Sequence, residues 1–350
     1  MALSDEQRAG LLRAQLAALV RDLTAQECEP LTVGANAAAV VDGTSFVLSG
    51  VADGATLAGA IAWALRQGSE ELVLLTDDLA GDLARMATYF ELPIAVRSVS
   101  GAGSVPVEPA PLPVVVPAPE APELVDQLVD AGLEVVVEDG VVRGEVRGLE
   151  VARLVVWPVE SGGDGELHLE AGVGRFDRDA AAAMHQGEPP TVTLARSVAM
   201  VRAERVAGGA THPLARLARE RWLRRAVIDS PELVGASRLE ACPTTVRRDS
   251  VRDVTPAAAV GVGSDGRPMV VVCSAGVDLS LVPIAADTRA WIDPTAELVL
   301  AVPARDRLPV LDRLSSLLRT PATVVVVAAP WDDDVAGAGE RGADSGDGAS

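Results

Sequence analysis

Residues 37–49 read AAAVVDGTSFVLS, two short apolar runs joined by Asp42-Gly43. Asp-Gly between such runs is a hairpin signal, because the tight turn that matches strand twist needs positive φ at both central residues. The stretch predicts strands near 37–41 and 45–49. Working outward, the apolar spacing predicts a helix near 55–67, a buried strand at 72–75, a helix through Leu79, Leu83, Met86 and Phe90, and a strand at 94–99. Upstream, Ser4 and Gln7 form a capping box ahead of Leu12, Leu16, Leu19 and Leu23, which predicts a helix over 5–26.

The same order recurs late in the chain. A second Asp-Gly turn, Asp265-Gly266, joins Ala257–Val262 to Met269–Cys273, and Glu71-Leu72-Val73-Leu74 recurs as Glu297-Leu298-Val299-Leu300. Aligned without gaps on Pro93 and Pro321, Asp78 falls on Asp306, Arg85 on Arg313, Met86 on Leu314 and Phe90 on Leu318. The two aspartates stand where a helix N-cap belongs. The expected fold is α/β: mixed sheets flanked by helices, with two related hairpin–helix–strand–helix–strand units. A core poor in aromatics (3%) and rich in Val, Leu and Ala suits sheets covered by helices.

Seven prolines between Pro106 and Pro122 predict a stiff extended linker over 104–122. It separates an N-terminal α/β unit, 1–103, from a C-terminal region, 123–330. That region divides into a strand-rich part (123–190), an Arg-rich helical part (191–252) and the second α/β repeat (253–330). Its strands are expected at 133–138, 141–156 and 166–173, and its helices at 123–131, 177–186, 191–206 and 212–228. Residues 331–350 are an acidic Asp/Gly/Ala/Ser tail expected to be disordered.

Composition excludes several chemistries. The chain has no lysine, so Schiff-base chemistry and the GxxxxGK[ST] phosphate loop are both ruled out. The net charge of −20 argues against coating nucleic acid or anionic membrane. Residues 196–252 nevertheless carry 12 Arg against 6 acids. Cys28, Cys242 and Cys273 lie far apart and read as reduced thiols of a cytoplasmic protein. No apolar run is long enough to span a bilayer. Gly50 and Gly54 precede a helix and read as a tight turn. His185 and His212 have no ligand partners at metal spacing and read as surface or capping residues.

One stretch carries a candidate chemistry: Gly148-Leu149-Glu150 opening a strand, then Glu166-Leu167-His168-Leu169-Glu170-Ala171-Gly172 on the next. Alternation puts Glu166, His168 and Glu170 on one face, where carboxylates flanking an imidazole suit a metal or acid/base pair as well as a solvated strand face. The stretch resembles the PD-(D/E)XK, restriction-endonuclease-like core over about 60 residues. That resemblance implies a restriction-endonuclease-like topology in which Glu150 and Glu170 hold Mg or Mn. It also places Gly172 where the family's lysine stands, so the implied site is degenerate, and Arg175 cannot replace a base. The runs GEVRGLEVARLVV, GVGRFDRDA, HPLARLARERWLR and VVVCSAGVDLSLVP are similar to a group of proteins from high-GC actinobacteria without an assigned activity, which implies a shared fold and no chemistry.

The resulting expectation is a non-catalytic cytoplasmic protein that binds a protein partner, with no cofactor. The helix at 212–228 is expected to bury Leu214, Leu217, Ala218, Trp222 and Ala226 and to turn Arg216, Arg219 and Arg224 outward as docking residues. The alternative is a metal-dependent nuclease or hydrolase using Glu150, Glu170 and His168. A third reading docks nucleic acid on residues 196–252.

Overall fold

The computed structural model describes residues 4–76, 80–101, 103–157, 165–174, 189–209 and 212–332. The fold is α/β, and the described residues form three sheets flanked by helices. The chain forms two compact units that are not collinear with it. The first comprises Met1–Pro113, Val277–Pro294 and Arg307–Val324; the second comprises Val114–Gly276, Thr295–Asp306 and Val325–Ser350.

The first sheet runs β1 (Leu31–Val33), β2 (Asn36–Val41), β3 (Thr44–Ser49), β4 (Glu71–Thr76), β5 (Ile94–Ser100) and β6 (Gly103–Pro106). Strands β1–β2–β3 are antiparallel, β3–β4–β5 are parallel and β6 closes antiparallel on β5. Asp42 (φ 48°) and Gly43 (φ 77°) form the hairpin turn with two positive φ angles that the sequence demands. Helix α1 (Asp5–Thr24) starts from the Ser4–Gln7 capping box. It lays Leu16, Leu19 and Val20 on Ala37, Ala39, Phe46 and Leu48. Burying each such leucine contributes roughly 1.5–3 kcal/mol. Helices α2 (Gly54–Gln67) and α3 (Gly81–Ala87) supply the parallel crossovers, and Asp53 caps α2 by accepting from Thr56 N–H. Strands β1 and β6 are three- and four-residue edges, and β6 occupies the start of the Pro-rich stretch read as linker.

In the second unit, β7 (Glu134–Glu138), β8 (Val141–Val146), β9 (Leu149–Trp157) and β10 (Glu166–Ala171) form an antiparallel meander. Helices α4 (Pro122–Asp130) and α5 (Pro190–Glu204) cover its apolar face through Leu128, Leu194, Val198 and Val201. The third sheet runs β11 (Ala236–Cys242), β12 (Ala257–Gly263), β13 (Pro268–Cys273), β14 (Glu297–Val302) and β15 (Thr323–Val326). Its β12–β13 pair is antiparallel and β13–β14 parallel. Helices α8 (Leu281–Ile292) and α9 (Pro309–Ser316) lie between these last strands in sequence.

The expected helix over 212–228 is two helices, α6 (Pro213–Arg216) and α7 (Arg219–Asp229), broken where Ala218 adopts left-handed φ 44°. The break resets the helical phase, so α7 buries Arg221, Trp222, Leu223, Arg224 and Val227. Arg224 therefore points inward, which corrects its expected outward direction. Leu214, Leu217 and Ala226 are only partly buried. Asp306 does not cap α9. It sits in a 3-10 turn and accepts from the Gly276 N–H at 2.7 Å. Asp78, Arg175, His185, the 177–186 helix and most of the tail lie outside the described residues.

Two glycines are fixed by close approach. Gly148 (φ 75°) turns β8 into β9 against α7, and a Cβ there would lie 2.3 Å from the Arg221 carbonyl carbon. At Gly261 a Cβ would lie 1.9 Å from the Arg238 oxygen, at the β11 bulge. Gly148→Ala combines positive-φ strain with a backbone clash, so chemical denaturation should show a loss of about 2–4 kcal/mol. A change under 0.5 kcal/mol would mean that α7 does not press on this turn.

Candidate functional site: the charged face of the meander

The meander has one apolar and one charged face. Register places Glu134, Glu138, Arg143 and Glu145 on the charged side, and Arg153 opposite both Arg143 and Glu170 continues it across the sheet. Strict alternation from Arg153 would put Glu150 on the apolar side. A register shift beside Val151, however, pairs Glu150 with Glu145 and turns it onto the charged face.

Helix α7 covers one end of this face. Arg221 and Arg224, three residues apart, share a helix side and meet Glu138 and Glu145 in a closed ring. Arg221 donates to Glu138 and, at 2.7 Å, to Glu145; Arg224 donates to Glu138 at 2.7 Å and to Glu145 at 2.9 Å. All four side chains are at least nine-tenths buried. Burial alone would raise the Glu138 carboxyl, but the two guanidiniums outweigh it and hold the group well below the ordinary carboxylate range. The Arg221 guanidinium is lowered by burial and raised further by Glu145 and Glu138.

Glu150 lies beside this ring and is itself buried. It accepts from Arg143 Nη1, and Arg248 Nη2 stands 3.5 Å from it. Arg248 lines a small, partly open pocket of about 10 Å³ with Glu138, Asp139, Arg221 and Cys242, room for one water molecule. Burial pushes Arg248 down to about 10, so it stays cationic at neutral pH. Glu134, mostly buried, has its carboxyl raised by desolvation, which the nearby Arg225 partly offsets.

The opposite end of the face is open. Glu170 accepts from Arg153 Nε and Nη2 and from Trp157 Nε1, each at 3.2 Å. His168 stacks on Trp157 with ring centroids 4.5 Å apart, its Nε2 3.6 Å from exposed Glu166. Glu166, His168 and Glu170 thus share a face as their spacing predicts. Glu150 and Glu170 share it too, but their carboxylates are engaged by different arginines. Among the described residues no three His, Cys, Asp or Glu gather at metal-holding distance. Gly172 has φ 139° and donates its N–H to the Val151 carbonyl.

The Arg-rich segment is less of a surface than its charge suggests. Arg205, Arg221, Arg224 and Arg248 are buried. Arg205 is desolvated down to about 9; it donates to the Arg147, Leu214, Leu217 and Ala218 carbonyls and lies 4.4 Å from the Trp222 ring centre. Arg216 is exposed, and half-buried Arg219 lies 5.0 Å from the Trp331 ring. His212 caps α6, accepting from Leu214 N–H.

The ring of Glu138, Glu145, Arg221 and Arg224 escapes a reading of the sequence. The spacing Glu134-x-x-x-Glu138 and Arg143-x-Glu145 signals a polar strand face, and nothing local says that a helix lies over it.

The cysteines are free, with Cys242 and Cys273 buried and their thiols pushed up to about 12 by burial. Thiolate is the reactive form, so a thiol reagent at pH 8 should modify one cysteine per native chain, the partly exposed Cys28, and all three only in denaturant. Rapid native modification of Cys242 or Cys273 would contradict their burial.

No helix among the described residues is long and apolar enough to cross a membrane. No protein-family model matches the chain, and neither a curated protein nor a solved structure matches it.

Proposed function

We propose that this protein acts by binding a protein partner and not by catalysis. The observation that supports this reading is how the candidate carboxylates are used: Glu150 lies buried against Arg143 and Arg248, and Glu170 is held by Arg153 and Trp157. A divalent cation needs oxygen ligands within about 2.0–2.6 Å, and each guanidinium would have to be displaced to provide them. Arg143 and Arg153 serve the two carboxylates as counter-ions. The surface offered to a partner includes Arg216 and Arg219 on α6 and α7. Three free cysteines support a reducing, cytoplasmic setting.

The test is a cleavage assay on single- and double-stranded DNA and RNA with Mg²⁺ or Mn²⁺, with Glu170→Gln run beside the parent. No metal-dependent cleavage is expected from either. Cleavage by the parent that Glu170→Gln abolishes, in a variant with unchanged circular dichroism, would replace this reading with the metal-dependent hydrolase. The same samples test docking on residues 196–252: nucleic-acid binding that weakens steeply from 50 to 200 mM salt and is lost in Arg216→Glu/Arg219→Glu would make nucleic acid the partner.

A further inference from the structure

We infer that the chain is a duplicated unit folded as its own pseudo-dimer, with the two copies meeting through a two-fold-related helix interface closed within one polypeptide. The copies are α1-β1-β2-β3-α2-β4-α3-β5 and α7-β11-β12-β13-α8-β14-α9-β15. Each sheet keeps its strands in the same spatial order, with the first three antiparallel and the fourth parallel to the third. In each copy the leading helix packs on the first three strands.

The interface itself lies within the first unit, where helices of both copies are found. Helix α2 packs on α8, α3 on α8, and α2 on α9. Exchanging the copies, α2 for α8 and α3 for α9, maps these contacts onto themselves. That is the property of an isologous interface, in which residue i meets j and j meets i. The backbone shows it at single-residue level. Glu91 N–H donates to the Leu317 oxygen at 2.8 Å, and Arg319 N–H donates to the Tyr89 oxygen at 2.8 Å. The offset that aligns Pro93 with Pro321 carries Glu91 onto Arg319 and Tyr89 onto Leu317, so each bond is the image of the other. Phe90 and Leu318, equivalent by the same offset, form an antiparallel bridge with each other, as a pair on the axis must. Equivalent positions Leu83/Leu311, Met86/Leu314, Ala87/Ser315 and Phe90/Leu318 are buried in both copies.

Within the helix interface the pairing differs between the copies. Arg85 is buried on Asp287 of α8, whereas its equivalent Arg313 is exposed, and α2 offers no acidic residue to receive it. The ion pair therefore joins the copies in one direction only, from Arg85 of the first to Asp287 of the second.

The test interchanges the copies' buried residues in the full chain: Met86→Leu, Ala87→Ser and Phe90→Leu together with Leu314→Met, Ser315→Ala and Leu318→Phe. Equivalent environments predict a cooperative transition with Tm within about 3 °C of the parent. Either triple alone, which puts two leucines or two phenylalanines on the axis, should lose more than the sixfold variant. As a measurement that needs no variant, the Glu91 and Arg319 amides should show matching hydrogen-exchange protection. A sixfold variant at least as destabilised as the two triples combined would overturn the inference, as would one of the two amides exchanging freely while the other is protected.

Discussion

Glu145→Ala is expected to lower the unfolding free energy by about 3–5 kcal/mol, because it leaves Arg221 and Arg224 buried with one carboxylate between them. Each arginine keeps only its bond to Glu138. The loss measures an uncompensated buried charge, not the worth of the ring. Replacing all four members with apolar residues (Glu138→Leu, Glu145→Leu, Arg221→Met, Arg224→Met) should therefore recover most of the stability. If the quadruple variant is as unstable as Glu145→Ala, the ring contributes more than mutual neutralisation.

The ring also sets an acid response. Because the folded Glu138 pKa lies far below its unfolded value, its contribution is fully present above about pH 5 and is lost as pH falls toward the folded pKa. Glu134, raised by burial, acts with opposite sign: its ionisation above the ordinary carboxylate range disfavours the fold. Parent stability should fall between about pH 5 and pH 2, and more gently in Glu138→Gln. An identical slope in both would remove Glu138 from the account.

The second large effect is in the first unit. Asp287, fully buried on α8, accepts from Arg85 Nε at 2.8 Å, Arg85 Nη2 at 3.0 Å and the Tyr89 hydroxyl at 3.0 Å. Arg85 Nη1 continues to Asp82 and to the Pro111 and Ala110 carbonyls, which ties down the Pro-rich segment. Burial and the Asp287 charge push the Tyr89 hydroxyl above the ordinary tyrosine range. Asp287→Ala should cost about 3–5 kcal/mol. Arg85→Lys keeps the charge but loses the two-pronged contact, and should cost less, about 1–3 kcal/mol. Urea unfolding checks both, and equal losses would mean that geometry, not charge, is what Asp287 requires.

What the sequence disclosed follows from where local chemistry decides structure. AAAVVDGTSFVLS is a hairpin because Asp-Gly tolerates positive φ at both turn positions, and the Ser4–Gln7 box starts α1 because its hydrogen bonds are local. Tertiary cover is not local. Glu134, Glu138, Arg143 and Glu145 alternate like a solvent-facing strand, and only α7 lying over them makes them a buried network. The direction of Arg224 was hidden by the left-handed turn at Ala218, a residue with no intrinsic preference for it. The face that Glu150 takes depends on the bulge at Val151, since one extra residue exchanges sheet faces. Strands β1 and β6 are too short to show a period.

The claim that the charged face of the meander is an ion network and not a metal centre is tested most directly by Mn²⁺ titration monitored by paramagnetic broadening of backbone amides in β9 and β10. No saturable broadening is expected there up to about 1 mM Mn²⁺, with Glu150→Gln lowering stability and leaving the titration unchanged. Saturable, micromolar broadening centred on Glu150 and Glu170, abolished by Glu170→Gln in a folded protein, would contradict it.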